Sequence, residues 1–264
     1  MLGSRILTAA ALAAVFLALL FLASRPVWTV VNGAVLAVAA WEWARLASLR
    51  ASACVCFTLL VVGLFGVLVW LPHWMPLAYG LAMLFWVLAA PVWLRKRPRD
   101  VPRPVVAAVG AIILVAAFAA LIELRDESPG LVLAVMAVVW ISDSAAFFTG
   151  RRFGRRKLAP AVSPGKTWEG VWGALLAVAA YGLSWHWFPD AALPRGSSTG
   201  VTSLGFLALG FAVLGILGDL FESQMKRNAG VKDSGRLLPG HGGALDRIDA
   251  LLPVLPAAAW MFAR

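Results

Sequence analysis

The sequence predicts an all-α, polytopic integral membrane protein with about eight or nine transmembrane helices. Three observations predict this class: 61% of the 264 residues are hydrophobic, the mean hydropathy is +0.84, and only 14% of the residues are charged. Soluble domains carry about 25% charged residues, so a water-soluble fold is excluded. The 13 tryptophans are typical of the aromatic belts that anchor helices at the two membrane surfaces.

Each predicted span is an apolar run long enough for a bilayer core of about 30 Å, which needs about 20 residues per helix. The first eight runs cover residues 6–24, 27–44, 52–71, 74–94, 104–123, 129–149, 169–188 and 201–222. The first run is interpreted as a retained helix because no convincing signal-peptide cleavage site follows it. A ninth run, 250–263, contains Pro253 and Pro256 and is therefore predicted to be kinked, tilted or only partly inserted. No repeat or soluble domain interrupts the series, which indicates a single membrane domain over residues 1–264.

The basic residues are concentrated on one side of the predicted helices. The chain has 23 Lys and Arg against 13 Asp and Glu, and 19 of the 23 bases lie in alternate loops that the positive-inside rule places in the cytoplasm. We interpret the net charge of +10 as cytoplasmic loops that touch anionic lipid head groups. Nucleic acid is not an expected partner, because no basic face is interleaved with exposed aromatic residues. The polar segments 151–168 and 223–249 both face this compartment, so we expect a cytoplasmic (inner) membrane protein with its polar site at the cytoplasmic face.

A polar cluster follows the last long apolar run. One face of the predicted helix end carries residues at the spacing i, i+3, i+4 and i+7, namely Asp219, Glu222, Ser223 and Lys226. The Pro-Gly-His-Gly-Gly segment that ends at Gly243 is too rich in proline and glycine for a regular helix, and its backbone N–H groups can turn toward an anion. Carboxylates hold Mg²⁺, and basic side chains and amides neutralise phosphate oxygens. The cluster therefore predicts a metal–polyphosphate site.

The residues that follow have a recognisable order. Ser223-Gln-Met-Lys-Arg is followed after four residues by Lys232-Asp233, then by Pro-Gly-His-Gly-Gly and by Asp246-Arg-Ile-Asp249. This arrangement resembles the signature of the phosphatidate cytidylyltransferase (CDP-diacylglycerol synthase) family. The resemblance implies a nucleotidyltransferase that forms CDP-diacylglycerol and pyrophosphate from CTP and phosphatidic acid. It also implies Mg²⁺ as the cofactor and leaves a second cation open.

A second polar region lies at the predicted sixth helix and its exit. Asp143 falls in an apolar span, where a charge is costly unless it is paired or hydrated. It is either a structural hydrogen-bonding residue or a carboxylate that reaches the metal or a basic partner. Ser163 is expected to be a helix N-cap with Lys166 and Thr167 in the first helical turn, where free N–H groups attract phosphate. A P-loop is excluded because Pro160 occupies the position of its first glycine. The segment Ser-Pro-Gly-Lys-Thr-Trp-Glu-Gly, together with the aspartate, also resembles the cytidylyltransferase family.

These residue types and the family resemblance lead to a set of role assignments. The predicted catalytic residues are Asp219, Asp246, Lys226 and Asp249. Asp219 and Asp246 are the main predicted Mg²⁺ ligands, and Asp249 is either an alternate ligand or one step further from the ion. The predicted substrate-binding residues are Asp143, Ser163, Lys166, Thr167, Ser223, Arg227, Lys232, Asp233, His241, Gly242, Gly243 and Arg247. We assign the histidine to phosphate rather than to the metal, because Mg²⁺ prefers oxygen ligands.

The first half of the chain shows little chemistry. All the candidate residues lie in 129–264, the predicted catalytic half, so 1–128 is expected to be mainly a scaffold. Glu42 and Arg45 share a helix face one turn apart, and we interpret them as an ion pair at a helix end.

Two other classes of membrane protein were weighed. A transporter of an anionic substrate could also carry intramembrane acids, but it is expected to show two similar halves, whereas the polar residues here are concentrated in one half. A CDP-alcohol phosphotransferase needs an Asp-Gly-x-x-Ala-Arg motif that the sequence lacks. The expected partners are therefore CTP, phosphatidic acid and membrane lipid, with a homodimer left open.

Overall fold

The computed structural model describes residues 2–185, 187, 201–235 and 242–263 and is almost entirely helical. The helices within these residues are α1 (Leu2–Leu22), α2 (Arg25–Leu46), α3 (Ala51–Trp70), α4 (Met75–Leu84), α5 (Ala90–Lys96), α6 (Arg103–Glu127), α7 (Pro129–Phe153), α8 (Trp168–Ser184), α9 (Val201–Asn228), α10 (Leu245–Ile248) and α11 (Leu251–Phe262). A 3₁₀ turn over Pro72–Trp74 precedes α4, and a π-helical segment over Phe85–Ala89 joins α4 to α5. Two short strands, β1 (Lys157–Ala159) and β2 (Ser163–Thr167), lie between α7 and α8.

The predicted membrane class is confirmed. Six helical segments among the described residues are long and apolar enough to cross a membrane: Arg25–Leu46, Ala51–Trp70, Pro72–Lys96, Arg103–Glu127, Pro129–Phe153 and Leu204–Asn228. Two shorter apolar helices cover Ala13–Leu22 and Leu251–Phe262. The count of eight or nine spans stays a prediction, because α8 and α11 have only 17 and 12 residues.

The prediction that Ser163 caps a helix is wrong. Ser163–Thr167 is instead strand β2, which pairs antiparallel with β1 and places Thr167 opposite Lys157. The residue before a proline is driven toward extended backbone, and Ser163 precedes Pro164. The cap of α8 is Thr167, whose hydroxyl oxygen accepts a hydrogen bond from the backbone N–H of Gly170 at 3.2 Å. Lys166 and Thr167 therefore precede α8 and do not form its first turn.

An aromatic cluster anchors α9 to the N-terminal half of the chain. The ring of Phe221 on α9 is fully buried, and its centroid lies 5.2–6.3 Å from those of four other rings. The four partners come from α2, the π-helical segment and α5: Trp43, Phe85, Trp86 and Trp93. Burial of rings of this size contributes much of the packing energy. The cluster therefore holds the end of α9 that carries the predicted site residues.

Trp43 also requires a glycine on the neighbouring helix α6. Its indole N–H donates to the carbonyl oxygen of Val106 at 2.9 Å, and a Cβ on Gly110 would lie 1.9 Å from Nε1 of Trp43. We expect Gly110→Ala to lower the free energy of unfolding by about 1–3 kcal/mol through overpacking. The melting temperature in detergent, measured by size exclusion after heating, should fall by several degrees. The matched control is Gly66→Ala on α3, where no atom lies within 4 Å of the added Cβ. Equal melting temperatures for the two variants would contradict this packing argument.

Candidate active site

A cavity of about 540 Å³ lies at the C-terminal end of α7, between α7, β2, α8 and α9. Five of the predicted site residues line it: Asp143, Ser163, Lys166, Thr167 and Asp219. Asp143 comes from α7, the next three come from β2, and Asp219 comes from α9. The β-hairpin thus brings the second polar region of the sequence against the helix that carries the first.

The contact between these two regions is an ion pair. The ammonium group of Lys166 pairs with a carboxylate oxygen of Asp219, and both side chains are about one quarter exposed. The hydroxyl of Ser223, one turn further along α9, donates to the other carboxylate oxygen of Asp219 at 3.3 Å. A partly exposed lysine that neutralises a carboxylate at a cavity wall can exchange that partner for a phosphate oxygen.

A second charge cluster lies one turn further along α9. The ammonium nitrogen of Lys226 lies 2.5 Å from a carboxylate oxygen of Glu222 and 2.6 Å from one of Asp246. The other oxygen of Asp246 accepts hydrogen bonds from the backbone N–H groups of Ser234 at 3.0 Å and Gly243 at 2.8 Å. All three charged side chains are largely buried, which strengthens the attraction between them. One lysine therefore joins α9 to the segment that begins α10.

The hydrogen bonds to Asp246 determine its charge. Burial acts to raise the pKa of the Asp246 carboxyl, but the hydrogen bonds from Lys226 and from the N–H of Gly243 outweigh it and hold that pKa below its usual range. The carboxylate is therefore ionised at neutral pH.

The backbone of Asp249 packs closely against Gly218, the residue before Asp219. A Cβ on Gly218 would lie 2.5 Å from the carbonyl oxygen of Asp249 and 2.9 Å from a ring carbon of Pro253. Burial raises the pKa of the Asp249 carboxyl well above its usual range, and the negative charge of Asp219 raises it further. The backbone N–H of Ala250 donates to the Asp249 carboxylate at 2.8 Å. The two carboxyl groups thus repel each other when both are ionised.

The predicted metal ion would need oxygen ligands from these residues. The described residues contain no group of three or more His, Cys, Asp or Glu side chains that could hold a metal ion. Mg²⁺, however, usually takes only one or two carboxylates and completes its shell with water and substrate phosphate oxygens. Asp219 beside Asp249 supplies carboxylates of that number and kind, so the residues fit the ion. Asp219 is paired with Lys166 and Asp246 with Lys226, so the metal role of all three aspartates stays a prediction.

The other predicted substrate-binding residues are spread around these clusters. The Nε of Arg227 donates to the carbonyl oxygen of Val162 at 3.4 Å and so ties α9 to the hairpin. Lys232 and Asp233 are exposed just after α9, and Arg247 is exposed on α10. Their assignment to substrate stays a prediction.

The glycines of the loop allow close backbone approach. Gly242 has φ +83°, a left-handed conformation that favours glycine. A Cβ on Gly243 would lie 2.1 Å from the hydroxyl oxygen of Ser234 and 2.5 Å from a carboxylate oxygen of Glu42. His241 lies outside the described residues, so its predicted phosphate contact stays a prediction.

The interpretation of Glu42 as an ion pair with Arg45 is wrong. The salt bridges among the described residues do not join these two side chains. Glu42 is instead buried, at 4% exposed, and accepts three hydrogen bonds from the other half of the chain. The donors are the hydroxyl of Ser234 at 2.8 Å, the N–H of Leu245 at 2.9 Å and the N–H of Ala244 at 3.1 Å.

Sequence reasoning missed Glu42, although one signal was present. Glu42 is the only acidic residue among the first 99 residues, and it lies on an apolar helix. A buried carboxylate is stable only when its oxygens find donors. In this structure Glu42 on α2 finds them in the segments on both sides of residues 236–241.

The fold and the site together define an integral membrane protein with paired lysine–carboxylate sites suited to phosphate groups. A model described as the cytidylyltransferase family matches residues 3–263. A phosphatidate cytidylyltransferase of Pseudomonas aeruginosa is 41% identical over 98% of this chain and 97% of the relative. One from Haemophilus influenzae is 34% identical over 99% of both chains, and one from Thermotoga maritima is 41% identical over 63% of this chain and 62% of the relative.

The chain belongs to the cytidylyltransferase family. The resemblance found in the sequence is thereby confirmed, and the protein is a nucleotidyltransferase.

Proposed function

We propose that the protein is a phosphatidate cytidylyltransferase, which converts CTP and phosphatidic acid into CDP-diacylglycerol and pyrophosphate. Two lysine–carboxylate pairs along α9 carry the proposal. Lys166 on β2 pairs with Asp219 on α9, and Lys226 on α9 pairs with Asp246 on α10, near the end of a membrane-spanning helix. Full-length relatives named for this activity support the same substrates.

The reaction is an in-line displacement at the α-phosphorus of CTP. An oxygen of the lipid phosphate forms the new P–O bond, and the bond from the α-phosphorus to the oxygen that bridges the α- and β-phosphates breaks. The electron pair of that bond leaves with pyrophosphate. Because the lipid phosphate is already anionic, it needs little help from a general base, and catalysis depends on alignment and charge neutralisation.

The charged side chains of the site would bind the phosphate groups of both substrates. Lys166 and Lys226 would neutralise phosphate oxygens of CTP and of the lipid, since an ammonium group makes charge-assisted hydrogen bonds to them. Arg227, Lys232 and Arg247 would add positive charge around the nucleotide, and the backbone at 242–243 would lie against the leaving pyrophosphate. The remaining predicted contacts to substrate, from Asp143, Ser163, Thr167, Ser223, Asp233 and His241, are part of the same proposal.

Mg²⁺ is the proposed cofactor. Asp219 and Asp249 would hold it from two different elements, with Asp246 as the further predicted ligand. When bound, the ion would neutralise phosphate charge and favour departure of pyrophosphate.

The proposed location is the cytoplasmic (inner) membrane with the site facing the cytoplasm. Its support is the distribution of charge, since 19 of the 23 Lys and Arg residues lie in alternate loops on one side. CTP would meet the site from that side, and phosphatidic acid would reach it from the bilayer.

The direct test measures pyrophosphate release by the purified protein in detergent, with CTP, phosphatidic acid and Mg²⁺ each omitted in turn. We expect release only when all three are present, because the reaction needs both phosphates and the proposed cation. Substitution of ATP for CTP tests nucleotide selection, and phosphatidylglycerol in place of phosphatidic acid tests the nucleophile. Release without lipid would contradict the proposal, as would its absence from folded, monodisperse protein supplied with all three.

A further inference from the structure

A second polar cavity, of about 890 Å³, adjoins the candidate active site where α7 ends and α8 begins. Gly154 lines both cavities, so the two share a wall. Three arginines and two tryptophans line the second cavity: Arg152, Arg155, Arg156, Trp168 and Trp172. We call these five residues the arginine–tryptophan cluster. None of them belongs to the site predicted from the sequence.

The backbone that carries the cluster is held in place by Glu169. The carboxylate of Glu169 accepts hydrogen bonds from the backbone N–H groups of Arg155 at 3.1 Å and Arg156 at 3.2 Å. The backbone N–H of Trp168 donates to the carbonyl oxygen of Arg156 at 2.9 Å. The chain after α7 is therefore tied to the first turn of α8, and its arginine side chains extend from a backbone that is already ordered.

The positive charge of the cluster is only partly offset by the protein. The side chains of Arg152, Arg155 and Arg156 are exposed, and the salt bridges among the described residues include none of them. The carboxylate of Glu169 lines the same cavity, accepts from the backbone N–H groups of Arg155 and Arg156, and attracts the charge of Arg156, so one negative charge faces three positive ones. Exposed guanidinium groups that outnumber the nearby carboxylates are suited to bidentate binding of phosphate.

The tryptophans of the cluster indicate that the phosphate belongs to a lipid. Trp168 and Trp172 lie one turn apart on α8 and are 46% and 62% exposed. Both lie at the level where the membrane-spanning segment of α7 ends, and exposed tryptophans at that level are typical of the interface between head groups and acyl chains. Phe148 on α7 and Leu176, which lies one turn after Trp172 on α8, are 68% and 73% exposed. This combination of arginines, exposed tryptophans and exposed apolar side chains matches the head group, the interfacial region and the acyl chains of an anionic phospholipid.

We propose that the arginine–tryptophan cluster binds the phosphate head group of an anionic phospholipid in the membrane and delivers lipid substrate to the adjoining active-site cavity. The binding half of this proposal rests on the cluster alone. The delivery half rests on the proposed function, in which phosphatidic acid is the lipid substrate. CTP is a poorer match for the cluster, because the apolar side chains below the arginines have no counterpart in a soluble nucleotide.

The kinetic test compares two triple variants that remove the same charge. R152Q/R155Q/R156Q alters the cluster, and R95Q/K96Q/R99Q removes three exposed basic residues from the end of α5 and the segment after it. Each basic residue at an anionic membrane surface strengthens binding by roughly fivefold, so the cluster variant should raise the apparent KM for phosphatidic acid in mixed micelles by about fivefold to 100-fold. The KM for CTP and kcat at saturating lipid should change by less than about twofold, and the KM for phosphatidic acid should rise clearly less in the control variant than in the cluster variant. R152K/R155K/R156K, which keeps the charge but loses the bidentate guanidinium geometry, should raise the KM for phosphatidic acid less than the glutamine variant does.

An equal rise in the KM for phosphatidic acid in both glutamine variants would overturn the proposal, because it would reflect general surface charge. A rise in the KM for CTP in the cluster variant would assign the arginines to the nucleotide and would also overturn it.

A binding measurement separates the lipid site from the proposed reaction. Native mass spectrometry of the purified protein, loaded with equal amounts of phosphatidylglycerol and phosphatidylcholine, should show preferential retention of the anionic lipid, and this preference should be lost in the R152Q/R155Q/R156Q variant. Added inorganic phosphate should not displace the lipid. Equal retention by the two proteins would overturn the lipid site. Selective retention without any turnover would support the lipid site while contradicting the proposed function.

Discussion

Asp219→Asn and Asp246→Asn are each expected to lower the rate of CDP-diacylglycerol formation by at least about 10²–10³-fold, the loss that follows removal of one group that stabilises transition-state charge. Asparagine keeps the size of the side chain and an acceptor oxygen but removes the negative charge. Lys166 then loses its ion-pair partner at Asp219, and Lys226 keeps only Glu222. Each substitution therefore alters both the proposed cation site and the lysine beside it.

The matched control for these variants is Asp100→Asn. Asp100 is an exposed acid in the segment between α5 and α6 that takes part in neither lysine cluster, so its loss should leave the rate within about twofold. All three proteins should elute as folded, monodisperse species in detergent. Near-normal activity of both Asp219→Asn and Asp246→Asn would show that neither carboxylate takes part in the reaction.

A titration with Mg²⁺ distinguishes the two aspartates. If Asp219 holds the ion, Asp219→Asn should raise the Mg²⁺ concentration needed for half-maximal rate, with partial recovery of activity at high Mg²⁺. Asp246→Asn should respond in the same way only if Asp246 is also a ligand. An unchanged Mg²⁺ dependence in Asp219→Asn would remove that residue from the ligand set.

Glu42→Ala should lower kcat by about 10–100-fold, the range measured when a group that orients a ligand residue is removed. The carboxylate of Glu42 lies on α2 and does not line the cavity next to Asp219, but it binds Ser234, Ala244 and Leu245 around the segment that presents Asp246. Without it the N–H groups of that segment lose buried acceptors, and Asp246 is no longer held against Lys226. Glu42 is thus a positioning residue, and KM values should change less than kcat.

Two further variants separate positioning from a loss of stability. Glu42→Gln keeps the volume but turns an NH₂ group toward N–H or O–H donors, so it should recover little activity. Asn32→Ala removes another buried polar side chain from α2, one that donates to the carbonyl oxygen of Trp28. It should lower the melting temperature by a comparable amount and leave kcat unchanged.

A double-mutant cycle between Glu42→Ala and Asp246→Asn completes this test. Because both changes act on the same segment, their effects on kcat should be clearly less than additive. Additive effects, or a kcat of Glu42→Ala equal to that of Asn32→Ala, would reduce Glu42 to a structural role.

Local patterns in the sequence were sufficient for the membrane class and for one face of the site. Helical periodicity placed Asp219, Glu222, Ser223 and Lys226 on one face of a helix, and the structure confirms it with the Ser223–Asp219 hydrogen bond and the Glu222–Lys226 ion pair. These contacts join residues four apart on one helix, and such neighbours follow from helix geometry alone. Six of the eight apolar runs that were predicted as full spans correspond to helical segments long enough to cross a membrane.

The pairing between distant segments was decided only by the tertiary structure. Lys166 reaches Asp219 because the segment before α8 forms a hairpin rather than a helical turn, and Lys226 reaches Asp246 because the chain folds back after α9. Glu42 lies 192 residues before Ser234, and no sequence spacing relates them. Periodicity reports only which residues share a face of one element. Which faces then meet depends on how closely the helices approach. At Gly218 a Cβ would lie 2.5 Å from the carbonyl oxygen of Asp249, so only glycine lets the backbone of Asp249 pack next to Asp219.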